Sequence, residues 1–280
     1  MNNALKRSVD IVLRIATKED KTKEDITTKF LLNSKKIKMG VFFKETGVLC
    51  GKGIVNQIVK KINKDIRIRW NYKEGEEIKK GSTVAIISGP GNTIVSNERV
   101  ILNFLQKLCG IATLTRLFVK KLDNKKIKIL DTRKTIPGWR HLEKYAVEIG
   151  GGKNHRTDLA ESILIKDNHI KISGDIDTTL RKVFKNKRKK KVEVEASSIK
   201  DVKKIIGFQI NQIMLDNFKE KDIPKATKII RESSSAKIEV SGNINLKNIK
   251  SMAKYDIDFI SIGRITHSAQ FLDISMDVLR

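Results

Sequence analysis

Residues 126–170 read KIKILDTRKTIPGWRHLEKYAVEIGGGKNHRTDLAESILIKDNHI. Two short apolar runs bracket the stretch, Ile127 to Leu130 and Ile163 to Ile165, each with the length and β-branched content of a buried strand. Both end abruptly in charge, the first at Asp131-Thr132-Arg133-Lys134 and the second at Lys166-Asp167-Asn168-His169. Between them Leu142, Tyr145, Ala146 and Ile149 keep helical spacing, and Gly150-Gly151-Gly152 stops that helix. The stretch therefore predicts strand, helix, strand. Parallel strands covered by helices carry ligand-binding groups at their carboxyl ends, which places Arg133, Lys134 and Lys166 on one cationic rim. One such strand end, taken alone, also fits a solvated turn with the glycines merely capping a helix. Repetition downstream separates the two readings.

The same design recurs four times. Val192 to Val194 runs into Glu195, Gln212 to Leu215 into Asp216-Asn217, Ile238 to Val240 into Ser241-Gly242, and Phe259 to Ile262 into Gly263. Each run follows a predicted helix. The pattern predicts six strands in α/β alternation: a barrel with an active rim, a half-barrel or an open sheet. The strand ends divide by chemistry. The early ones are cationic, Glu195 and Asp216 bring carboxylates, and the last two are small. Small residues with accessible backbone amides suit a terminal phosphate. Carboxylates suit a hard cation such as magnesium or a developing positive charge. Together they describe a pocket for an anionic substrate beside a phosphorylated sugar.

Upstream, Leu5, Val9, Val12, Leu13 and Ala16 share one face of a docking helix over residues 4–16. From Lys38 to Ser88 the sequence turns strand-like and glycine-punctuated, predicting a small β-rich layer. Ser96 then caps a predicted helix that runs to about Lys121, with Arg99 in its first turn, where the helix dipole gives a cation no support. Gly110 marks a kink or a close approach, and the domain boundary is placed there.

The chain has 280 residues and 58 Lys plus Arg against 32 acidic residues, a formal charge of +26. Such an excess attracts polyanions in general. It is mostly lysine, scattered among abundant Ile and Asn, which reads as a bias of composition. Only 14 of the 58 basic residues are arginine, so Arg99, Arg133 and Arg156 in polar, motif-like surroundings are the more informative choices. A planar guanidinium grips a carboxylate or phosphate with two hydrogen bonds, which lysine cannot copy. The run Lys185 to Lys191, Arg188 included, lacks interleaved aromatics and reads as a solvated helix end rather than a nucleic-acid site. Cys50 and Cys109 lack metal-ligand spacing and suggest no disulfide framework. With no stretch read as membrane-spanning, the expectation is a soluble, cytoplasmic protein without nucleic-acid or membrane partners.

Several of these segments resemble quinolinate phosphoribosyltransferases. The likeness covers nearly the whole chain and is most specific at Asn97-Glu98-Arg99, Leu102-Asn103-Phe104-Leu105-Gln106 and Gly110-Ile111-Ala112-Thr113. It continues at Asp131-Thr132-Arg133-Lys134-Thr135, Gly150 to Arg156 and Ile165-Lys166-Asp167-Asn168-His169. The resemblance implies an α/β protein with an N-terminal α/β sandwich domain, residues 1–109, and the open, incomplete α/β barrel of type II phosphoribosyltransferases, residues 110–265. Residues 266–280 would return to the first domain.

It also implies transfer of phosphoribosyl from phosphoribosyl pyrophosphate (PRPP) to quinolinate with decarboxylation. By the same resemblance Arg99, Arg133, His155, Arg156 and Lys166 hold the two carboxylates of quinolinate. Lys134 and Lys166 face the pyrophosphate, Glu195 and Asp216 lie near the ribose and its Mg²⁺, and Ser241, Gly242, Gly263 and His267 cradle the 5-phosphate. Lys134, Lys166, Glu195 and Asp216 would be the catalytic set. A homodimer or larger homo-oligomer is implied, with Arg99 acting across the interface. Arg264 departs from the small residue usual before Thr266-His267, and it would add a phosphate contact or face solvent. His141 and His169 read as structural. The alternatives are a same-fold homologue acting on another pyridine acid or associated with molybdenum transport, and, in another class, a basic nucleic-acid-binding protein.

Overall fold

A computed structural model describes residues 1–187 and 189–279, so Arg188 of the basic run lies outside the described residues. The chain divides into two compact units. The first comprises Met1–Arg116, Lys134–Gly151 and Ile265–Arg280, and the second Leu117–Arg133 and Gly152–Arg264. This division differs from one at Gly110. The helix Gly91–Leu122 runs unbroken through that glycine and passes from the first unit into the second. Gly110 instead serves a close approach within the first unit: a Cβ there would stand 1.9 Å from the Gln270 carbonyl oxygen.

In the first unit, strands β1 (Lys36–Phe43), β3 (Arg67–Trp70), β5 (Thr83–Pro90) and β12 (Ile274–Val278) form an antiparallel sheet in the order β12-β1-β5-β3. The C-terminal strand pairs with β1 from Met39↔Val278 to Phe43↔Ile274. Two short strands, β2 (Gly47–Val48) and β4 (Glu77–Ile78), pair separately. The N-terminal helix, Asn3–Glu19, is capped by the Asn2 side chain and buries Leu5, Val9, Val12 and Leu13. Each such side chain contributes about 1.5–3 kcal/mol on leaving water. It packs against the helix Lys52–Ile62, which lies inside the stretch read as strand-like, mostly between the runs Gly47 to Gly53 and Ile66 to Trp70. There Ile54, Val55, Ile58 and Val59 are buried at helical spacing.

Two further expectations are corrected. The long helix begins at Gly91, so Arg99 sits well beyond its first turn, and Ser96 is an interior residue whose hydroxyl donates to Asp25 Oδ2 at 2.8 Å. This 32-residue helix is also long and apolar enough by composition to cross a membrane, contrary to the expectation that no stretch is. Of its most apolar window, 67% is buried inside the protein, as in a core helix.

The second unit carries β6 (Lys128–Leu130), β7 (Ile163–Ile165), β8 (Val192–Ala196), β9 (Gln212–Asp216), β10 (Lys237–Ser241) and β11 (Phe259–Ser261). These are the six strands read from sequence. They form one parallel sheet in the order β6-β11-β10-β9-β8-β7. The helices Ile176–Asn186, Ile199–Ile205, Ile223–Ser233 and Ile249–Met252 connect its middle strands. Strands β6 and β7 are opposite edges, so the expected strand, helix, strand unit is not a simple crossover. Its helix, Arg140–Ile149, belongs to the first unit and packs on the N-terminal helix.

Candidate active site

Side chains alternate between faces along a strand, so in Val192-Glu193-Val194-Glu195-Ala196 the two glutamates share one face while the apolar residues pack on the other. Register carries that face across the sheet. Glu193 stands opposite Gln212, Met214 opposite Glu239, and Asp216 opposite Ser241, which in turn faces Ser261. One surface of the second unit is therefore polar from β8 to β11.

At the carboxyl end of β7, the Lys166 ammonium donates to Glu195 Oε1 on the neighbouring strand, and both side chains stay partly accessible. His169 accepts the Lys166 backbone N–H through Nδ1 at 3.0 Å, capping the helix Asp167–Ser173. That is the structural role expected of it. Beyond β6, Asp131 is fully buried and its Oδ1 accepts the His155 backbone N–H at 2.9 Å. The pair Leu130↔Lys153 adds a parallel bridge. These bonds hold the segment after the glycine triplet against the edge of the sheet.

The Arg156 guanidinium is nearly buried and donates from Nη1 to the Ser162 carbonyl at 2.8 Å. Burial first, and then the nearby Arg133 guanidinium, pull its pKa below the ordinary arginine value, while Glu193 and Glu195 oppose the shift. The two like charges oppose each other, and a bound dianion would offset both the burial and the repulsion.

Deeper in the sheet lies a cluster that the sequence reading passed over. His155 Nε2 lies 3.1 Å from Glu193 Oε2 and 3.6 Å from Glu239 Oε2. Gln212 Nε2 donates to Glu193 Oε1 at 3.1 Å and also to Glu239 Oε2. Glu239 is completely buried, and its carboxyl is raised to about 8 by burial and then by the Glu193 charge. The signal was present in the alternation of glutamates along β8, but attention to strand ends alone selected Glu195.

After the interior strand β10, Gly242 adopts φ +95°, and a Cβ there would meet Asn217 Oδ1 at 2.1 Å. The Asn217 backbone N–H donates to the Ser241 carbonyl at 2.9 Å, tying the turns after β9 and β10 together. Gly263 follows β11, and Arg264, which opens a four-residue helix, is exposed. The structure brings Arg133, His155, Arg156, Lys166, Glu195, Asp216, Ser241, Gly242 and Gly263 into the second unit. Arg99, Lys134 and His267 lie in the first. There the Thr266 hydroxyl donates to the Lys134 carbonyl at 2.7 Å, and Arg99 is exposed on the long helix.

The family model for the C-terminal domain of quinolinate phosphoribosyl transferase matches residues 111–277, and that for the N-terminal domain matches residues 25–127. The chain belongs to the quinolinate phosphoribosyltransferase family. Among curated relatives, a carboxylating nicotinate-nucleotide pyrophosphorylase from Methanocaldococcus jannaschii is 39% identical over 265 residues, 91% of this chain and 92% of its own. The Bacillus subtilis protein of the same name is 36% identical over 261 residues, 93% and 90% of the two chains. The crystal structure of NadC from Streptococcus pyogenes is 35% identical with a TM-score of 0.91 and covers 97% of both chains. That of the Francisella tularensis nicotinate-nucleotide pyrophosphorylase is 36% identical, with a TM-score of 0.90 over 98% and 97%. An antiparallel N-terminal sheet followed by a parallel α/β unit is thus the family architecture. Family membership gives the polar face of the parallel sheet a chemical context that its geometry alone leaves open.

Proposed function

We propose that the polar face of the second unit binds quinolinate at its cationic edge and PRPP across its carboxylate and small-residue strand ends. The activity is that of a quinolinate phosphoribosyltransferase in NAD biosynthesis. The observation that carries the residue assignment is the Arg133 charge acting on the nearly buried Arg156 guanidinium, with Lys166 presented at the carboxyl end of β7. Two guanidiniums and an ammonium match the two carboxylates of the pyridine diacid. The remaining assignments follow the family resemblance: Lys134 toward the pyrophosphate with Lys166, and Ser241, Gly242, Gly263 and His267 around the 5-phosphate. In the same reading the protein is a homodimer or larger homo-oligomer in which one copy lends Arg99 to the site of its neighbour. Both cysteines are free and buried, which fits a reducing, cytoplasmic setting.

Glu195 and Asp216 end adjacent strands and offer hard oxygen ligands. Two carboxylates do not make a closed cage, and one is already bonded to Lys166. They therefore suit a Mg²⁺ that arrives already bound to phosphate oxygens, which is the usual habit of this ion. Bound there, it would neutralise charge on the diphosphate.

Positive charge grows at the ribose carbon as pyrophosphate leaves. Carboxylates near the sugar and cations near the leaving group then act more strongly on the transition state than on the ground state. The pyridine nitrogen forms the new bond to the sugar carbon while the arginines fix the ring in line. The carboxylate beside the nitrogen leaves as CO₂, its bonding pair stays on the ring carbon, where the now cationic nitrogen stabilises it, and a proton from solvent completes the new C–H bond. No enzyme nucleophile is needed. Pyrophosphate release from PRPP should depend on quinolinate and fail with nicotinate, which lacks the second carboxylate. Equal release with both would contradict the diacid assignment.

A further inference from the structure

We propose that Thr266 is a positioning residue: its buried hydroxyl ties the backbone of Lys134 to the segment carrying His267, and so sets the spacing at which the diphosphate and 5-phosphate ends of PRPP are gripped. The inference rests on the reading that turns Lys134 toward the pyrophosphate and His267 toward the 5-phosphate. Its support is one long-range bond. Thr266 Oγ1 donates to the Lys134 carbonyl at 2.7 Å, joining residues 132 apart in sequence. Thr266 is completely buried, whereas Lys134 and His267 are exposed, and all three belong to the first unit. The side chains that reach for ligand therefore stand on a joint for which water does not compete.

The joint has a counterpart in the parallel sheet. β6 and β11 are neighbours, with Ser261 opposite Leu130, and the Ile262 N–H donates to the Leu130 carbonyl at 3.0 Å. Both segments then leave their strands and run for the same number of residues before Thr266 meets Lys134. Beyond the strands, a side chain does what the ladder did within them. The rest of the Lys134 segment is closed by bonds of its own. The Trp139 N–H donates to the Ile136 carbonyl at 3.0 Å, Arg140 Nε donates to Thr135 Oγ1 at 3.1 Å, and the Trp139 and Phe104 rings pack with centroids 4.9 Å apart. Those contacts hold the shape of the segment, and the Thr266 bond sets its distance from His267. A ligand held at both ends is sensitive to that distance, and a ligand held at one end is not.

The test measures binding to the full chain by calorimetry, with PRPP, pyrophosphate and ribose 5-phosphate as probes. Mg²⁺ is present, and phthalate, a diacid with no ring nitrogen to react, occupies the quinolinate subsite. Thr266→Val keeps the size and removes the donor, while Thr266→Ser keeps the donor. PRPP should bind Thr266→Val about tenfold or more weakly and Thr266→Ser within about threefold of native. Pyrophosphate and ribose 5-phosphate should each change by no more than about threefold in either variant, and the kinetic counterpart is a raised PRPP KM with the quinolinate KM little changed. Native PRPP affinity in Thr266→Val, an equal loss in Thr266→Ser, or a loss of either fragment as large as that of PRPP would overturn the proposal. Should Thr266→Val fail to fold, Thr266→Ser still decides, since a tenfold loss of PRPP affinity there overturns the proposal and near-native affinity supports it. Lys134→Ala and His267→Ala check the reading beneath: the first should lose pyrophosphate and the second ribose 5-phosphate. If neither does, the assignment of the two phosphate sites falls and the proposal with it.

Discussion

The ammonium of Lys166 is bonded to the Glu195 carboxylate across the β7 and β8 strand ends. The contact joins a group assigned to the leaving pyrophosphate with one assigned to the sugar, so each holds the other in place before substrate arrives. Replacing Glu195 by Gln preserves the shape and removes the charge. Turnover should fall about a hundredfold or more, while the quinolinate KM moves little, because the carboxylate acts on charge that develops at the ribose. Steady-state kinetics with each substrate varied in turn provide the check, and near-native kcat would remove Glu195 from the reaction centre.

Arg133 to Lys keeps a positive charge and discards the two-pronged geometry. The quinolinate KM should rise by a factor equivalent to about 1.5–3 kcal/mol, with the PRPP KM close to native. Unchanged quinolinate affinity, measured by calorimetry, would place the diacid elsewhere.

Gly242 to Ala puts a Cβ at a backbone angle of +95° and against Asn217 Oδ1 at 2.1 Å. Adjustment of the two tied turns should cost about 1–3 kcal/mol of stability and raise the PRPP KM selectively. A thermal melt and a PRPP titration test the two parts separately.

The Glu239 carboxyl is raised from 4.5 to about 8 by burial and by Glu193. Between those values the folded protein holds a proton there that the unfolded chain has released. Its contribution to stability is therefore complete below about 4.5, declines as pH rises, and is lost above about 8. Denaturant midpoints for Glu239→Gln should decline less steeply than those of the native protein across this interval. Parallel profiles would show that Glu239 titrates alike in both states.

How much of this was legible in sequence depended on the range of the interaction. The six parallel strands showed as short apolar or alternating runs, the first four ending in charge and the last two in small residues. Lys166, Glu195 and Asp216 were found because function gathers at the carboxyl ends of such strands. The helix Lys52–Ile62 was hidden by its Ile and Val content. The destination of the helix Arg140–Ile149 was hidden because nothing local to it reveals that its buried face serves the first unit. Glu193 and Glu239 sit inside strands and Gln212 at the start of one, away from the carboxyl ends. There a lone polar residue reads as a solvated face until register shows three of them meeting under His155.

The most direct test of the central assignment supplies quinolinate labelled in the carboxylate next to the ring nitrogen, with and without PRPP. Labelled CO₂ should appear in step with pyrophosphate when both substrates and Mg²⁺ are present, and should be absent without PRPP. Release of CO₂ in the absence of PRPP, or of pyrophosphate without matching CO₂, would contradict the account.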